Sequence, residues 1–591
     1  MTTYAERPWV KNYDAGVPAS LEPYPNKTLH DFLTETAQAS PDRIALMTPA
    51  RLPGLGWQAA SMTYGELNRQ SDALAAAFIS MGLQKGDRVA IILPNSAAFA
   101  ITYFAVLKAG GVVAATNPTY PAEKMRHQIN DSDAPIAVTL SLFYNTLRQI
   151  QPGTKLKTLI VTNIKEYLPP AARLLFTLMR EKKDGHRVEK LAEGDYWLQD
   201  VLRRFDGQKP NVQVVPDDIG LFQYTGGTTG VSKAAKLPHR TLIANLLQMM
   251  AWTSEKTGAM GDLKRSDLIY LGAIPMFHVY GLVVLLSQAV ASGSKIIIIS
   301  NPRDVDNLVG VIEAYKPNVF LGVPAMFNAV VNHPDVKSGK VPLDSFLLAV
   351  SGAAPLPPAT KREFESFGGR RLTEAYGMSE TSAGSHCNPM VGDNRTGSVG
   401  MPLPDMDVRV VSLDDGVTDV PVGEIGEIVM AGPNIMVGYH GMPTETANAL
   451  REHNGKKWLH SGDIGYMDAD GYFYIVDRQK DMVLIGGFNV YPNNIEKVLK
   501  EHPAVLEVGV AGIPHPEKRG EEALKAWIVL KPGMAVTEQE LIAHCAQHLA
   551  GYEIPRRYAF IPELPKTLVG KTLRRELIQM ELEAQENASG S

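Results

Sequence analysis

Residues 224–239 read YTGGTTGVSKAAKLPH and concentrate glycine, threonine and lysine in a short loop. The three glycines of this loop allow backbone N–H groups to turn inward and to approach an anion closely. The threonine and serine hydroxyls add hydrogen-bond donors, and Lys233 adds a positive charge. The composition of the loop therefore predicts a phosphate-binding site.

The segments on either side of this loop predict that it joins a strand to a helix. Residues 219–224 are typical of a buried strand, and residues 241–252 place apolar side chains on one helical face. A Walker-type loop requires a lysine directly after its last glycine, whereas Lys233 lies three residues beyond Gly230. The spacing excludes a Walker-type nucleotide-binding loop, and an ordinary Gly-Thr turn remains the alternative.

The composition of the chain is that of a soluble globular protein with more than one domain. Its 591 residues exceed the size of one compact core, and 45% of them are hydrophobic. The 58 Lys and Arg residues nearly balance the 63 Asp and Glu residues, so there is no electrostatic basis for binding nucleic acid. Cys387 and Cys545 are far apart in the sequence and lack ligand spacing, which argues against a disulfide framework and predicts a reducing, cytoplasmic environment.

Two apolar stretches raise the question of membrane contact. Polar residues interrupt residues 282–300, whose end is typical of a buried strand rather than of a membrane span. Residues 167–190 combine an apolar stretch with a following basic cluster. This pattern is typical of a helix that lies on the inner surface of a membrane. A docked helix with a solvated end is the alternative.

The distribution of strand-like and helical segments predicts an α/β fold. Apolar strand-like runs alternate with helical segments through about residue 400. Short strands with Gly-Pro and Asp-Gly turns then dominate, which predicts a β-rich subdomain at about residues 401–477. The sequence therefore predicts a large N-terminal domain of layered α/β sheets with this subdomain, followed by a small C-terminal α+β domain.

Seven motifs resemble those of the adenylate-forming superfamily, which includes acyl-CoA synthetases, luciferases and peptide-synthetase adenylation domains. The glycine-rich loop resembles the signature loop of that family. The other six follow in the family's order and extend the resemblance to about residues 31–577: PMFHVYG (275–281), SGAAP (351–355), EAYGMSET (374–381), WLHSGDIGYMDADGYFYIVDRQKDM (458–482), GFNVYPNNIE (487–496) and PKTLVGKTLRREL (565–577). Within the family, the chain is most similar to bacterial long-chain fatty acyl-CoA synthetases.

This resemblance implies a long-chain fatty acid–CoA ligase. ATP would activate a fatty acid as an acyl-adenylate with release of pyrophosphate, and coenzyme A would then displace AMP. ATP, Mg²⁺ and coenzyme A are the implied cofactors and substrates. The implied domains are an AMP-binding domain at residues 1–477, a hinge at 478–481 that pivots at Lys480, and a mobile C-terminal domain at 482–591.

The resemblance also implies roles for individual residues. Lys571 would bridge the α-phosphate and the incoming carboxylate, and Glu380 with Thr225 would bind Mg²⁺. Tyr376 would stack on adenine, and Asp463 would bind the ribose hydroxyls. The full set implied to bind ATP or AMP is Tyr224, Thr225, Gly226, Gly227, Thr228, Thr229, Gly230, Ser232, Lys233, Gly352, Ala353, Ala354, Tyr376, Gly377, Met378, Ser379, Asp463, Arg478 and Lys571.

Two further groups of residues are implied to bind the other substrates. The acyl chain would lie against residues of the PMFHVYG segment and of a second segment further along the chain, namely His278, Gly281, Gly322 and Val323. Gly486 and Gly487 would give coenzyme A close access to the backbone.

Three alternatives remain open from the sequence. A fatty acyl-AMP ligase would pass its adenylate to a carrier protein, but residues 465–489 contain no obvious extra segment that would restrain the C-terminal domain. A medium-chain or aryl acid CoA ligase would share the same motifs. A non-catalytic, membrane-associated nucleotide-binding protein is disfavoured by the presence of Lys571, Glu380, Asp463 and Arg478. Acyl chain length and oligomeric state are undetermined, although dimers occur among similar proteins.

Overall fold

The computed structural model describes residues 3–225, 232–485, 488–515, 522–566 and 572–589. The chain divides into two compact units. The larger unit comprises Val10–Asp407 and Ala431–Leu450, and the smaller unit comprises Met1–Trp9, Val408–Met430 and Arg451–Ser591. The predicted domain boundary after residue 477 and the predicted hinge at residues 478–481 stay predictions.

The strands of the described residues are, in chain order, β1 (Ile44–Leu52), β2 (Gly56–Thr63), β3 (Arg88–Ile92), β4 (Val112–Ala115), β5 (Ile136–Leu140), β6 (Thr158–Thr162), β7 (Tyr196–Trp197), β8 (Ile219–Tyr224), β9 (Ala234–Pro238), β10 (Ile269–Gly272), β11 (Lys295–Ile298), β12 (Val319–Gly322), β13 (Leu348–Ser351), β14 (Leu372–Tyr376), β15 (His386–Cys387), β16 (Met401–Pro402), β17 (Asp407–Val411), β18 (Gly426–Ala431), β19 (Leu450–His453), β20 (Lys456–Met467), β21 (Phe473–Arg478), β22 (Val483–Ile485), β23 (Phe488–Val490), β24 (Val505–Pro514), β25 (Glu522–Leu530) and β26 (Arg557–Phe560).

The α-helices of the same residues are α1 (Leu29–Ala39), α2 (Tyr64–Ser80), α3 (Ala97–Lys108), α4 (Ala122–Ser132), α5 (Tyr144–Ile150), α6 (Pro170–Met179), α7 (Leu198–Arg204), α8 (His239–Trp252), α9 (Gln288–Ser292), α10 (Val305–Tyr315), α11 (Pro324–Val331), α12 (Pro334–Lys337), α13 (Pro358–Ser366), α14 (Pro443–Ala449), α15 (Pro492–Glu501), α16 (Glu538–Ala546) and α17 (Arg574–Ser589). A π-helical segment, Tyr280–Ser287, precedes α9. Over the described part of the chain, every helix is too short or too polar to cross a membrane.

A seven-stranded sheet forms one layer of the larger unit, with the strand order β7-β6-β5-β3-β4-β8-β9. All neighbouring strands are parallel except β8 and β9, which are antiparallel. Strands β4 and β5 are buried along their whole length, as is usual for parallel strands covered on both faces. Burial on both faces explains why these segments appear in the sequence as continuous apolar runs.

The prediction that the glycine-rich loop joins a strand to a helix is wrong. Residues 234–238 form β9, which pairs with β8, and α8 begins only at His239. The loop is therefore the connection of a β-hairpin. The sequence AAKLP of β9 is short and has only one polar side chain, so it shows no clear alternation that would distinguish it from the start of the helix.

A nine-stranded sheet forms another layer of the larger unit, with the order β16-β15-β14-β13-β12-β10-β11-β1-β2. The six strands from β14 to β1 in this order are parallel, and the strands outside them are antiparallel. The parallel arrangement places the carboxyl ends of these six strands at one edge of the sheet. The layered sheets confirm the predicted α/β fold class.

A group of phenylalanines packs beneath this edge. Phe320 of β12 is buried, and its ring centroid lies 4.3 Å from that of Phe327 and 5.1 Å from that of Phe346. Phe364 of α13 completes the group, at 5.3 Å from Phe327 in an edge-to-face arrangement. Contacts of this kind stabilise a core beyond the area that they bury. The aromatic group therefore holds β12 against α11 and α13.

The smaller unit contains three separate sheets. Strands β17, β18, β20 and β19 form a sheet in which β21 also pairs with β20, in the region where a β-rich subdomain is predicted. Strands β22 and β23 form a hairpin, and β24, β25 and β26 form a three-stranded sheet packed on α15 and α17. These elements confirm the predicted small α+β region near the end of the chain.

We expect Phe320→Ala to destabilise the larger unit by about 3–5 kcal/mol, because the substitution leaves a cavity within the aromatic group. Urea-induced unfolding monitored by tryptophan fluorescence would measure the loss. Leu55→Ala is the control, because Leu55 is 63% exposed in the turn between β1 and β2. Equal stability of the Phe320 variant and the control would contradict the role assigned to this group.

Candidate active site

Four of the predicted segments leave the nine-stranded sheet at the same edge. The register pairs Gly322 with Ser351, and Ser351 with Glu374, so β12, β13 and β14 end at nearly the same level. Ligands of open α/β sheets bind in the crevice outside the carboxyl ends of the strands. The segments that follow β10, β12, β13 and β14 at this edge are residues 275–281, 322–323, 352–354 and 376–380.

His278 lies half-buried in the first of these segments. Its Nδ1 accepts the backbone N–H of Tyr280 at 3.3 Å. Burial lowers the pKa of His278 to about 4, so the imidazole is neutral at pH 7. Because Nδ1 is an acceptor, the ring proton lies on Nε2. His278 therefore offers an uncharged N–H donor.

The π-helical segment begins with Tyr280, which packs against the loop after β13. The hydroxyl of Tyr280 donates to the carbonyl oxygen of Val350 at 3.1 Å. A Cβ built on Gly352 would lie 3.5 Å from the ring of Tyr280. A Cβ built on Gly281 would lie 2.1 Å from the carbonyl oxygen of Pro275, so this position accepts only glycine. Gly281 is thus a packing requirement of the segment.

The loop after β13 begins with three small residues, Gly352, Ala353 and Ala354. Gly352 donates its N–H to the carbonyl oxygen of Gly322 at 3.1 Å, while Val323 is buried at the start of α11. Ala353 is exposed and has a φ of 69°, a left-handed conformation that is unfavourable for alanine. Ala354 follows it, half-buried. The turn therefore places small residues at the edge of the sheet, of which Ala353 is exposed.

A tight turn follows β14 and carries Glu380. A Cβ built on Gly377 would lie 1.7 Å from the carbonyl oxygen of Ala383, so the chain can cross itself here only at a glycine. Met378 and Ser379 lead into a short 3-10 turn, Ser379–Thr381. Tyr376 is half-buried at the end of β14, with its ring 5.6 Å from that of His386.

The base of the glycine-rich hairpin loop is closed by hydrogen bonds. The N–H of Thr225 donates to the carbonyl oxygen of Lys233 at 2.8 Å, and the Ser232 hydroxyl donates to the carbonyl oxygen of Thr225 at 2.8 Å. Gln128 of α4 donates to the same hydroxyl at 3.3 Å. The predicted phosphate-binding residues between these ends, Gly226, Gly227, Thr228, Thr229 and Gly230, lie outside the described residues.

Tyr224 directs its hydroxyl toward α4. It donates to Asp131 Oδ2 at 2.9 Å and to the carbonyl oxygen of Gln128 at 3.1 Å. Burial, with the Asp131 carboxylate nearby, raises the pKa of the Tyr224 phenol. These contacts give Tyr224 a structural role in anchoring β8.

A segment that sequence reasoning missed joins the hairpin to the Glu380 turn. Residues 436–440 extend along β9, with the N–H of Lys236 donating to the carbonyl oxygen of Gly438 at 2.9 Å. The Tyr439 hydroxyl donates to Glu380 Oε1 at 2.6 Å, and Lys233 Nζ lies 5.2 Å from the centroid of the Tyr439 ring. Burial and the Glu380 carboxylate raise the pKa of Tyr439, so the phenol retains its proton.

The smaller unit contains the remaining predicted nucleotide-binding residues. Asp463 of β20 is buried and lies opposite Arg478 of β21, with 3.1 Å between Asp463 Oδ1 and Arg478 Nε. Lys480 follows β21 in a turn. The predicted residues Gly486, Gly487 and Lys571 lie outside the described residues.

Arg574 is a second residue that sequence reasoning missed. Its Nη1 lies 3.0 Å from Asp481 Oδ2 and 3.7 Å from Asp477 Oδ1, and its Nη2 lies 2.8 Å from Glu496 Oε1. Asn493 Oδ1 also accepts from this guanidinium, and the N–H of Asn493 donates to Asp477 Oδ2 at 2.8 Å. Arg574 therefore joins the end of β21, which precedes Lys480 in the sequence, to α15, which follows it.

Comparison with known proteins identifies the family. A family model described as AMP-binding enzyme matches residues 33–440, and the model of the AMP-binding enzyme C-terminal domain matches residues 494–571. The chain belongs to the AMP-binding enzyme family.

Relatives of this AMP-binding enzyme cover nearly its whole length. It is 36% identical over 584 residues to a long-chain-fatty-acid–CoA ligase of Bacillus subtilis (strain 168), covering 98% of this chain and 99% of the relative. It is 32% identical over 522 residues to a feruloyl-CoA synthase of Amycolatopsis sp, covering 88% and 93%. The crystal structure of ATP-bound MatB from Rhodopseudomonas palustris matches with a TM-score of 0.78 and 27% identity, covering 94% of this chain and 99% of that one.

The buried Glu374 of this AMP-binding enzyme makes its stability depend on pH. Glu374 Oε1 accepts the N–H of Leu356 at 3.0 Å, and burial raises the pKa of Glu374 from 4.5 to about 7. Because the unfolded chain releases this proton at lower pH, the folded state loses stability as pH rises from about 4.5 to about 7. Glu374→Gln keeps an acceptor but does not titrate.

We expect Glu374→Gln to be more stable than the wild-type protein at pH 8, by up to roughly 3 kcal/mol. The difference should shrink as the pH falls toward the usual pKa of glutamate. Urea-induced unfolding of both proteins at pH 5 and pH 8 measures the difference. Glu363→Gln, at an exposed position of α13, is the control. A gain of the same size at both pH values would show that the titration of Glu374 is not its cause.

Proposed function

We propose that this AMP-binding enzyme is a long-chain fatty acid–CoA ligase. The proposal rests on the four segments that follow β10, β12, β13 and β14 at one edge of the nine-stranded sheet. These segments include His278, Gly352, Tyr376 and Glu380. Its similarity to a long-chain-fatty-acid–CoA ligase over 98% of the chain supports the same reaction.

The proposed reaction has two steps. A carboxylate oxygen of the fatty acid attacks the α-phosphorus of ATP, and the bond from that phosphorus to the bridging oxygen breaks, which releases pyrophosphate. The coenzyme A thiolate then attacks the acyl carbonyl, and AMP leaves. The first step brings an anion to a polyanion, so the enzyme must supply positive charge and oriented donors. Lys571 is proposed to supply that charge, and residues 478–481 are proposed to pivot between the steps.

The acyl side supplies orientation without charge. Neutral His278 is proposed to donate from Nε2 to the fatty acid carboxylate, since Tyr280 occupies Nδ1. A neutral donor at this position aligns the nucleophilic carboxylate without competing with Lys571 for its negative charge. Tyr376 is proposed to contact adenine, and Asp463 is proposed to accept from the ribose hydroxyls.

The residues around Glu380 fit a magnesium ion. Tyr439 occupies Oε1 of Glu380, and no hydrogen bond from the described residues reaches Oε2. Among those same residues there is no group of three or more His, Cys, Asp or Glu that could enclose a metal ion. A single carboxylate completed by phosphate oxygens and water is typical of Mg²⁺. When bound beside Glu380 and Thr225, Mg²⁺ would neutralise charge on the phosphates.

Incubation of the purified protein with ATP, Mg²⁺ and fatty acids of graded length, with and without coenzyme A, tests this function. We expect pyrophosphate, AMP and acyl-thioester, with thioester only when coenzyme A is present and with the highest rate for long acids. Lys571→Ala should lower pyrophosphate release by about two orders of magnitude. It should still convert supplied acyl-adenylate to thioester.

The alternatives give different products in that experiment. Acyl-adenylate that accumulates despite coenzyme A would instead indicate a fatty acyl-AMP ligase with a carrier-protein acceptor. Preference for aromatic or medium-chain acids would indicate the other ligase class, to which the relative named feruloyl-CoA synthase belongs by its name. Absence of pyrophosphate with every acid would contradict catalysis altogether.

The exposed face of α6 supports a second proposal, that the enzyme contacts an anionic membrane surface. Leu174, Leu178 and Met179 are 60%, 73% and 69% exposed, which is unusual for large apolar side chains on one short helix. Lys182 and Lys183 follow the helix and are exposed to solvent. An apolar face beside exposed lysines is the arrangement of a helix that lies at the surface of a bilayer.

We expect the protein to float with vesicles of phosphatidylglycerol and phosphatidylcholine on a density gradient at low salt. The double variant Leu174→Ser, Leu178→Ser should bind these vesicles at least tenfold more weakly, because serine removes the apolar surface that would enter the bilayer. Leu55→Ser, at another exposed leucine, is the control. Equal flotation of the double variant and the control would contradict docking through α6.

A further inference from the structure

Tyr439 touches both of the oppositely charged groups at the proposed phosphate site. Its hydroxyl donates to Glu380 Oε1 at 2.6 Å, and its ring centroid lies 5.2 Å from Lys233 Nζ. Lys233 Nζ thus faces the aromatic ring, whereas Glu380 Oε1 accepts from the hydroxyl at the other end of the same side chain. The phenol is therefore in contact with a cation through its ring and with an anion through its hydroxyl.

Backbone contacts fix the position of this phenol. The N–H of Tyr439 donates to Thr446 Oγ1 at 2.9 Å, and Thr446 in turn donates to the carbonyl oxygen of Met442 at 2.7 Å. Tyr439 also forms a β-bridge with Ala235 of β9. The N–H of Met436, three residues earlier, donates to the carbonyl oxygen of Glu380 at 2.8 Å. The same short segment thus holds the hairpin and the Glu380 turn.

We propose that Tyr439 is a positioning residue for adenylation, and this inference rests on the proposed function. Its hydroxyl holds one oxygen of Glu380 and leaves the other, Oε2, for the metal ion. Its ring holds the Lys233 ammonium by a cation–π interaction, so the ammonium stays available for a phosphate. Tyr439 thus orients the two groups through separate parts of one side chain, the ring for the ammonium and the hydroxyl for the carboxylate.

Two substitutions separate the roles of the hydroxyl and the ring. Tyr439→Phe removes only the hydroxyl, so Glu380 loses its hydrogen bond while the aromatic face beside Lys233 remains. We expect it to weaken binding of ATP with Mg²⁺ by about tenfold, because a hydrogen bond to a charged group is lost. Binding of ATP in EDTA should stay unchanged. Tyr439→Leu also removes the ring, and it should weaken the binding of ATP in both conditions.

Isothermal titration calorimetry with ATP plus Mg²⁺, and with ATP plus EDTA, measures these affinities without turnover. The matched control is Tyr144→Phe, since the hydroxyl of Tyr144 donates to Asp195 Oδ2 at 2.8 Å. It removes an equivalent phenol–carboxylate hydrogen bond that lies far from Glu380 in the sequence. Thermal unfolding of all variants shows whether a loss of affinity merely follows a loss of folded protein.

The Glu380→Gln background tests whether Tyr439 acts through Glu380. We expect Tyr439→Phe to weaken binding of ATP with Mg²⁺ no further in that background, because the interaction that it removes is already altered. Additive losses in the double variant would overturn the proposal. The proposed role of Tyr439 would also be wrong if Tyr439→Phe bound ATP with Mg²⁺ as tightly as the wild-type protein does. The same conclusion would follow if this variant bound ATP equally more weakly with Mg²⁺ and with EDTA.

Different results would contradict the proposed ligase function and the proposed role of Tyr439. If the wild-type protein releases no pyrophosphate with any acid, the ligase proposal is wrong. If the wild-type protein is active while Tyr439→Phe and the Tyr144→Phe control bind ATP with Mg²⁺ equally, only the role of Tyr439 is wrong.

Discussion

The parallel register of β12, β13 and β14 is the constraint on which the candidate site depends. Because paired residues such as Gly322 and Ser351 stand side by side, the loops that follow these strands begin at one level. The buried ring of Phe320 lies in β12 just below this level and packs on α11 and α13 through its neighbours. The loops of the candidate site therefore begin directly above a densely packed aromatic core.

The seven-stranded sheet contributes to the candidate site through the hairpin of β8 and its edge strand β9. Strand β9 accepts residues 436–440 along its free side, and this added segment also bonds to the backbone of Glu380. The hairpin that carries Lys233 and the turn that carries Glu380 therefore share one backbone support. The side chain of Tyr439 in this segment contacts both Lys233 and Glu380.

Local signals in the sequence predict the family and the strands that are buried on both faces, but not the edge strand β9 or the contacts between distant segments. Strands β5 and β6 are continuous apolar runs, and burial on both faces leaves such runs easy to recognise. Strand β9 has no such pattern, because AAKLP follows the loop directly and ends at a proline. Tyr439 meets Glu380 across 59 positions of the chain, so only the fold reveals the contact.

Arg574 has a consequence for the hinge proposed at Lys480. Asp477 precedes Lys480, whereas Asn493 and Arg574 follow it, so a rotation at Lys480 must draw the Asp477 carboxylate away from both partners. Burial already raises the pKa of Asp477 to about 6. The Arg574 guanidinium and the Asn493 N–H lower the pKa of Asp477, whereas burial and the Glu496 carboxylate raise it. Rotation at Lys480 would change all of these contributions but not the hydrogen bond from the Arg478 N–H, so the balance between the two arrangements would depend on pH.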